Sequence, residues 1–246
     1  MRNLPITAIC LGLAVLGWCG SAPARAGSFS VNPMRVVLSA AKPVAALEVH
    51  NDGAEASVVQ LELVAWTQSD NADVYAETGE LLATPPILTV PPGGSRVVRI
   101  GLRRAPDRDR ELTYRLYIQE VPPPLAADFQ GMRMTLRVGV PVFVAAAAKP
   151  KPQLQWRMAA AADGRIRLSL ANRGNEHVKI NDFELSLADG SRSSGLQRVS
   201  TYVLPGQSRN WLIKMDGSIA AGSTLRVKAH TDANIELATS LTLEAT

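Results

Sequence analysis

From Met132 to Val142 every second residue is apolar: Met132, Met134, Leu136, Val138, Val140 and Val142. In an extended strand these side chains share one face, while Arg133, Thr135, Arg137, Gly139 and Pro141 share the other. Pro141 has no N–H to give to a ladder, so it belongs on an edge strand. The run therefore reads as a long edge strand with one strongly apolar face. Proteins usually blunt such edges, which otherwise pair with foreign chains. An edge left long and apolar is suited to donation to another protein. The plain alternative is the core-facing strand of an ordinary β-sandwich. It is the commoner origin of such alternation, and this segment alone does not exclude it.

Similar runs recur along the chain with turn residues between them. The first set covers Phe29 to Leu38, Val44 to His50, Ser57 to Trp66, Ile87 to Val90, Ser95 to Leu102, Leu112 to Glu120 and Met132 to Val144. Pro85-Pro86, Pro91-Pro92-Gly93-Gly94 and Pro122-Pro123-Pro124 punctuate it. At Ala145 to Pro152 the pattern stops, because Pro150 and Pro152 cut short the helix that the alanines favour. The second set covers Gln153 to Met158, Arg165 to Ala171, His177 to Leu187, Leu196 to Leu204, Arg209 to Met215, Thr224 to His230 and Ile235 to Leu243. No long pattern of period 3.6 interrupts either set. The expectation is an all-β protein of two immunoglobulin-like sandwiches with a cleft between them. The domains are expected at 27–146 and 153–246, joined by a linker at 147–152.

Residues 1–26 read as a signal peptide. They hold a basic start, an apolar run from Ile6 to Trp18 and an Ala24-Arg25-Ala26 cleavage site. The apolar run is too short to span a bilayer comfortably, so no stable membrane insertion is expected. Cys19 as a lipoprotein site is disfavoured by the bulky Trp18 before it. Both cysteines, Cys10 and Cys19, lie in the leader. The exported chain then has no thiol and no disulfide, and is long enough to fold without either. Its formal charge falls from +4 to +2 once Arg2 and Arg25 are removed. The densest basic group, Arg96 to Arg110, is broken by Asp107 and Asp109 and reads as a solvated edge rather than a nucleic-acid surface.

The usual chemistry is missing. There is no G-x-S-x-G, P-loop or G-x-G-x-x-G motif. His50, His177 and His230 lack ligand spacing and read as ordinary surface or edge histidines. Asp70, Asp73, Glu77 and Glu80 lack the calcium-loop pattern and read as a solvated loop. The expectation is no enzyme, no metal and no cofactor. Arg35 differs, because it stands among apolar and small residues in Val31-Asn32-Pro33-Met34-Arg35-Val36. There it is placed either to line a cleft and grip a carboxylate through two parallel hydrogen bonds, or to face solvent from a strand.

Taken together, the pieces resemble a periplasmic pilus chaperone of the chaperone–usher type. They are Val31 to Val36, Trp66-Thr67-Gln68, Asp73-Val74-Tyr75, Leu81 to Pro86, Val98-Arg99-Ile100, Glu111 to Leu116, and Glu120-Val121-Pro122. Trp66-Thr67-Gln68, Asp73-Val74-Tyr75 and Pro141 to Val144 resemble the archaic branch. The resemblance implies two immunoglobulin-like domains arranged as a boomerang, with neither enzymatic activity nor cofactor. It implies a periplasmic location, pilin subunits as partners, and an outer-membrane usher that receives them. The last strand of the first domain, Met132 to Val142, would fill the groove of an incomplete pilin with Met132, Met134, Leu136, Val138 and Val140. Arg35 matches the first anchor of the pilin's C-terminal carboxylate. The second family anchor, a lysine, falls on Pro141, so either Arg35 anchors alone or another base substitutes, with Arg137, on the same strand face, and Lys149 and Lys151, in the linker, as candidates. Glu111 matches an interdomain bridging residue whose arginine partner falls on Ala145, so that bridge is expected to be absent. A chaperone without its partner has an exposed edge, which self-association would cap. Two other readings stay open: a pilin or fibre subunit, and a secreted sugar-binding sandwich with Trp66, Trp156 or Trp211 as platforms.

Overall fold

The structure is a computed structural model that describes residues 29–124, 132–151 and 153–245. The leader, with both cysteines, lies outside the described residues. No helix occurs among the described residues, so none is long and apolar enough to cross a membrane.

The first half forms β1 (Phe29–Asn32), β2 (Val36–Leu38), β3 (Val44–Asn51), β4 (Ser57–Ser69), β5 (Ala72–Glu77), β6 (Leu81–Thr84), β7 (Ile87–Val90), β8 (Ser95–Leu102), β9 (Leu112–Glu120) and β10 (Arg137–Val144). One sheet runs β1-β3-β8-β6. The other runs β2-β10-β9-β4-β5, with β7 also paired to β4. The inner faces supply the core, including Val49, Val98, Ile100, Leu116, Ile118, Val140 and Val142.

Phe29 to Leu38 is not the single strand its pattern suggests. Pro33 has no N–H with which to continue the ladder. The chain leaves β3 after Asn32 and rejoins the opposite sheet at Val36, where β2 pairs in parallel with β10. Arg35 lies in this crossover. The acidic stretch read as a loop contains β5 and leads to β6. All six residues of β5 are exposed, so burial left no alternation to read there.

The second half forms β11 (Leu154–Ala160), β12 (Ile166–Asn172), β13 (Val178–Leu187), β14 (Gln197–Val203), β15 (Ser208–Ile213), β16 (Thr224–Thr231) and β17 (Glu236–Thr242). The sheets β11-β12-β15 and β14-β13-β16-β17 enclose a separate core around Leu168, Leu170, Phe183, Leu185 and Val227. Both halves use one turn device. Asn51 bonds the carbonyls of Glu55 and Val90 and accepts from the Gly53 N–H; Asn172 does the same with Glu176, Val203 and Gly174. Each buried amide is thereby satisfied. At Gly174 a side chain would meet the Lys151 carbonyl oxygen at 2.4 Å, so glycine is needed where the linker passes.

Candidate functional site

The alternating segment divides in two. From Arg137 to Val144 it pairs with β9, in the register Arg137↔Gln119 to Val144↔Leu112. Only Val142 to Val144 also pair with β2, so Arg137 to Pro141 form an open edge. The Glu120 N–H donates to the Leu136 carbonyl at 3.0 Å, which aims the even-numbered N–H groups at β9 and the odd-numbered ones outward. The missing N–H of Pro141 therefore falls on the open side, where it breaks no bond of the ladder with β9.

The strand starts later than its pattern suggests, at Arg137 rather than Met132. Continuing the register places Pro122 opposite Met134 and Pro124 opposite Met132. Both are positions where β9 would have to donate, and proline cannot. The segment consequently runs past the sheet. Met132 is 85% exposed, Met134 65% and Leu136 36%. Val138 packs partly against the core, and Val140 is fully buried within it. One apolar face thus passes from the interior of the sandwich into solvent.

The outer face of β10, β9 and β4 meets the second half. Trp66, Phe143 and Leu204 form a third apolar cluster, joined by Tyr202. Trp66 meets Tyr202 edge to face at 5.4 Å, and Phe143 stacks on His177 at 3.6 Å. Trp66 is 1% exposed, which removes it as a sugar platform.

Polar contacts pin the same junction. His177 offers Glu111 Oε2 both its backbone N–H, at 2.9 Å, and its ring Nδ1, at 2.8 Å. The Glu111 N–H donates to the Asn175 carbonyl at 3.0 Å. Glu111 thus bridges the two halves although Ala145 stands where the resemblance put its arginine partner, and His177 is a partly buried partner rather than a surface histidine. The tip of the β4–β5 hairpin makes a second pin. Gln68 accepts from the Leu204 N–H and donates to the Tyr202 carbonyl, while Arg209 reaches Asp73 and the Asn71 carbonyl. Asp73, read as part of a solvated loop, is a strand residue that holds an arginine of the other half.

The two arginines singled out as anchors separate. Arg35 Nη1 donates to Asp232 Oδ2 of the second half at 2.7 Å. Arg137 stays on its own sheet, 2.9 Å from Glu62 and stacked 3.9 Å from the centre of the Tyr117 ring. Lys149 and Lys151 line a shallow hollow with Arg110 and Arg173, and Arg35 is no part of it. Arg115 carries no such role in the sequence reading. It is the cross-strand neighbour of Pro141, lies 4.2 Å over the Trp66 ring, and forms no ion pair among the described residues. Its only sequence signal was its outward place between inward-facing Tyr114 and Leu116. Its position opposite Pro141 depends on strand register.

Residues 28–148 match the family described as pili and flagellar-assembly chaperone, PapD N-terminal domain. A chaperone protein FimB/FhaD of Bordetella pertussis is 31% identical over 123 residues, which cover 46% of this chain and 49% of the relative. The chain thus spans about half the length of that curated relative. Among solved structures, a chaperone–tip adhesion subunit complex, CsuC–CsuE, from the archaic Csu pili of Acinetobacter baumannii matches at TM-score 0.64 and 19% identity. That match covers 89% of this chain and 99% of the other. The Salmonella enterica complex of the SafA pilin with the SafB chaperone matches at TM-score 0.61 and 18% identity, covering 89% and 98%. The two-sandwich fold is shared with these structures, and over residues 28–148, just under half of the chain, the sequence matches the N-terminal domain of pili and flagellar-assembly chaperones.

Proposed function

We propose that this protein is a non-enzymatic periplasmic chaperone. It completes a pilin subunit by lending it the segment before and within β10, then delivers the subunit to an outer-membrane usher. The observation that carries this reading is the apolar face that leaves the core and continues through Leu136, Met134 and Met132 into solvent. Val138 continues the donated set. Val140 is withdrawn from it, because its side chain already fills the core of its own sandwich. Each donated side chain adds roughly 1.5–3 kcal/mol when buried. The unbranched methionines adapt to grooves of differing shape.

In this reading the signal peptide is 1–26 and the donor domain is 27–146. Residues 147–152 link it to a second domain at 153–246. The pilin's C-terminal carboxylate enters beside Arg35. Arg115 supplies the second cation that Pro141 cannot, and Arg137 is left to its own sheet. Complexes of a chaperone with a pilin or a tip subunit among the structural neighbours support a partner of that class.

The test is a pull-down from the source periplasm with tagged wild type, Leu136→Asp and Arg35→Glu. Wild type is expected to capture a small pilin-like subunit one to one, with both variants reduced at least about tenfold, as loss of a buried anchor produces. Retention by Leu136→Asp overturns strand donation. Retention by Arg35→Glu alone moves the carboxylate elsewhere. Capture of nothing while the pilin is being made overturns the chaperone reading.

A further inference from the structure

Arg35 holds a carboxylate of its own chain. Asp232 sits in the turn between β16 and β17 of the second sandwich, and its Oδ2 accepts from Arg35 Nη1 at 2.7 Å. The turn is well tied. The Asp232 N–H donates to the Lys179 carbonyl at 3.2 Å, and the Thr231 N–H donates to the Ile235 carbonyl at 3.1 Å. Asn234 adopts the left-handed region at φ 56°.

Further cations lie nearby. Lys179 Nζ lies 5.4 Å from the centre of the Tyr202 ring. Arg115 stands over Trp66, which packs against that ring. The Tyr202 phenol is pushed up first by burial and then by Asp232, while Arg35 and Arg115 pull it down. Both guanidinium groups and the aspartate therefore lie within electrostatic reach of one hydroxyl. Arg35 pairs with Asp232, Arg115 and Lys179 lie over the neighbouring aromatic rings, and Arg115 has no acidic partner among the described residues.

We propose that Asp232 is a resident carboxylate that occupies Arg35 until a guest carboxylate displaces it, and that this exchange determines which carboxylates the cleft accepts. A loose carboxylate competes at a disadvantage against one tethered to the fold, whose effective concentration is in the millimolar range or above. A carboxylate on a chain already bound elsewhere on the protein is tethered too, and competes on equal terms. Asp232 thereby favours, at Arg35, carboxylates that make a second contact. That the second contact is the donated segment rests on the chaperone reading; the exchange itself does not.

The test follows the Arg35 Nε–Hε resonance of the full exported chain during titration with N-acetyl-dialanine, as free acid and as amide. Asp232→Asn is expected to respond to the acid at about fivefold lower concentration than wild type, the scale of one exposed ion pair. The amide is expected to leave both unmoved. Glu236→Gln removes an acid of the same hairpin that pairs with Lys228 and His230 rather than with Arg35, and is expected to titrate like wild type. Equal responses of wild type and Asp232→Asn overturn the proposal, as does an equal gain in Glu236→Gln. The probe makes no use of the donor segment. A pull-down that captures no pilin, beside a fivefold gain here, therefore overturns the chaperone reading and leaves the exchange standing.

Discussion

Met132 to Leu136 and Val140 to Val144 carry the same alternation, yet they end in opposite surroundings. Val140, Val142 and Val144 are fully buried, whereas Met132, Met134 and Leu136 are exposed. Side-chain pattern does not explain the difference, because both stretches place an apolar residue at every second position. The partners on either side do. Val140 to Val144 all pair with β9, and Val142 to Val144 with β2 as well, while Met132 and Met134 run past the last N–H that β9 offers, that of Glu120 to the Leu136 carbonyl. Alternation decides which face a residue takes if a strand forms; a ladder partner decides whether it forms.

The largest expected effect lies in this contrast. Val140→Ala should cost the isolated protein about 2 kcal/mol or more, from two lost methyl groups and the cavity they leave. Leu136→Ala should stay within about 0.5 kcal/mol, as exposed substitutions do. Urea unfolding of the two variants measures both, and equal losses would break the comparison.

A smaller effect would sharpen it. Pro122→Val combined with Pro124→Val returns the two N–H groups that β9 lacks. The ladder should then extend to Met132, slowing amide exchange at Met132 and Met134 about three- to tenfold, the net worth of one hydrogen bond. On the proposed function, binding of the pilin should weaken in the same variant, because the segment would first have to leave its own sheet. Unchanged exchange would mean that the prolines are not what holds the segment out.

The smallest effect concerns Arg137, at the boundary between the two stretches. Its ion pair with Glu62 is about half exposed, with relative side-chain exposures of 48% and 55%. Arg137→Ala should cost less than about 1 kcal/mol in denaturant unfolding. It should leave the dependence of binding on the partner's terminal carboxylate unchanged. Loss of that dependence would return Arg137 to the cleft and remove Arg115 from it.

Much of the architecture was legible because most strands bury one face. Ile87–Val90, Ser95–Leu102 and Leu112–Glu120 begin and end where their patterns do. β5 escaped because both of its faces meet solvent, so hydrophobic periodicity had nothing to report. The Phe29 to Leu38 run was read as one strand because alternation is blind to a change of sheet. At the cleft, Arg35 stood out by its apolar setting and its place in a recognisable motif. Arg115, His177 and Asp232 did not, since each acquires meaning from a residue far away in the chain: Pro141, Glu111 and Arg35.

By itself the sequence determined the all-β class, the two sets of strands and the apolar face of Met132 to Val142. These follow from local periodicity and turn chemistry, which act between near neighbours. The tertiary structure decided where that segment leaves the sheet, which side chain rebuilds the bridge at Glu111, and which acid occupies Arg35. Those outcomes depend on strand register and on contacts across the junction, such as Arg35 with Asp232, 197 residues apart. No local pattern encodes a pairing that only the packed chain brings within hydrogen-bonding distance.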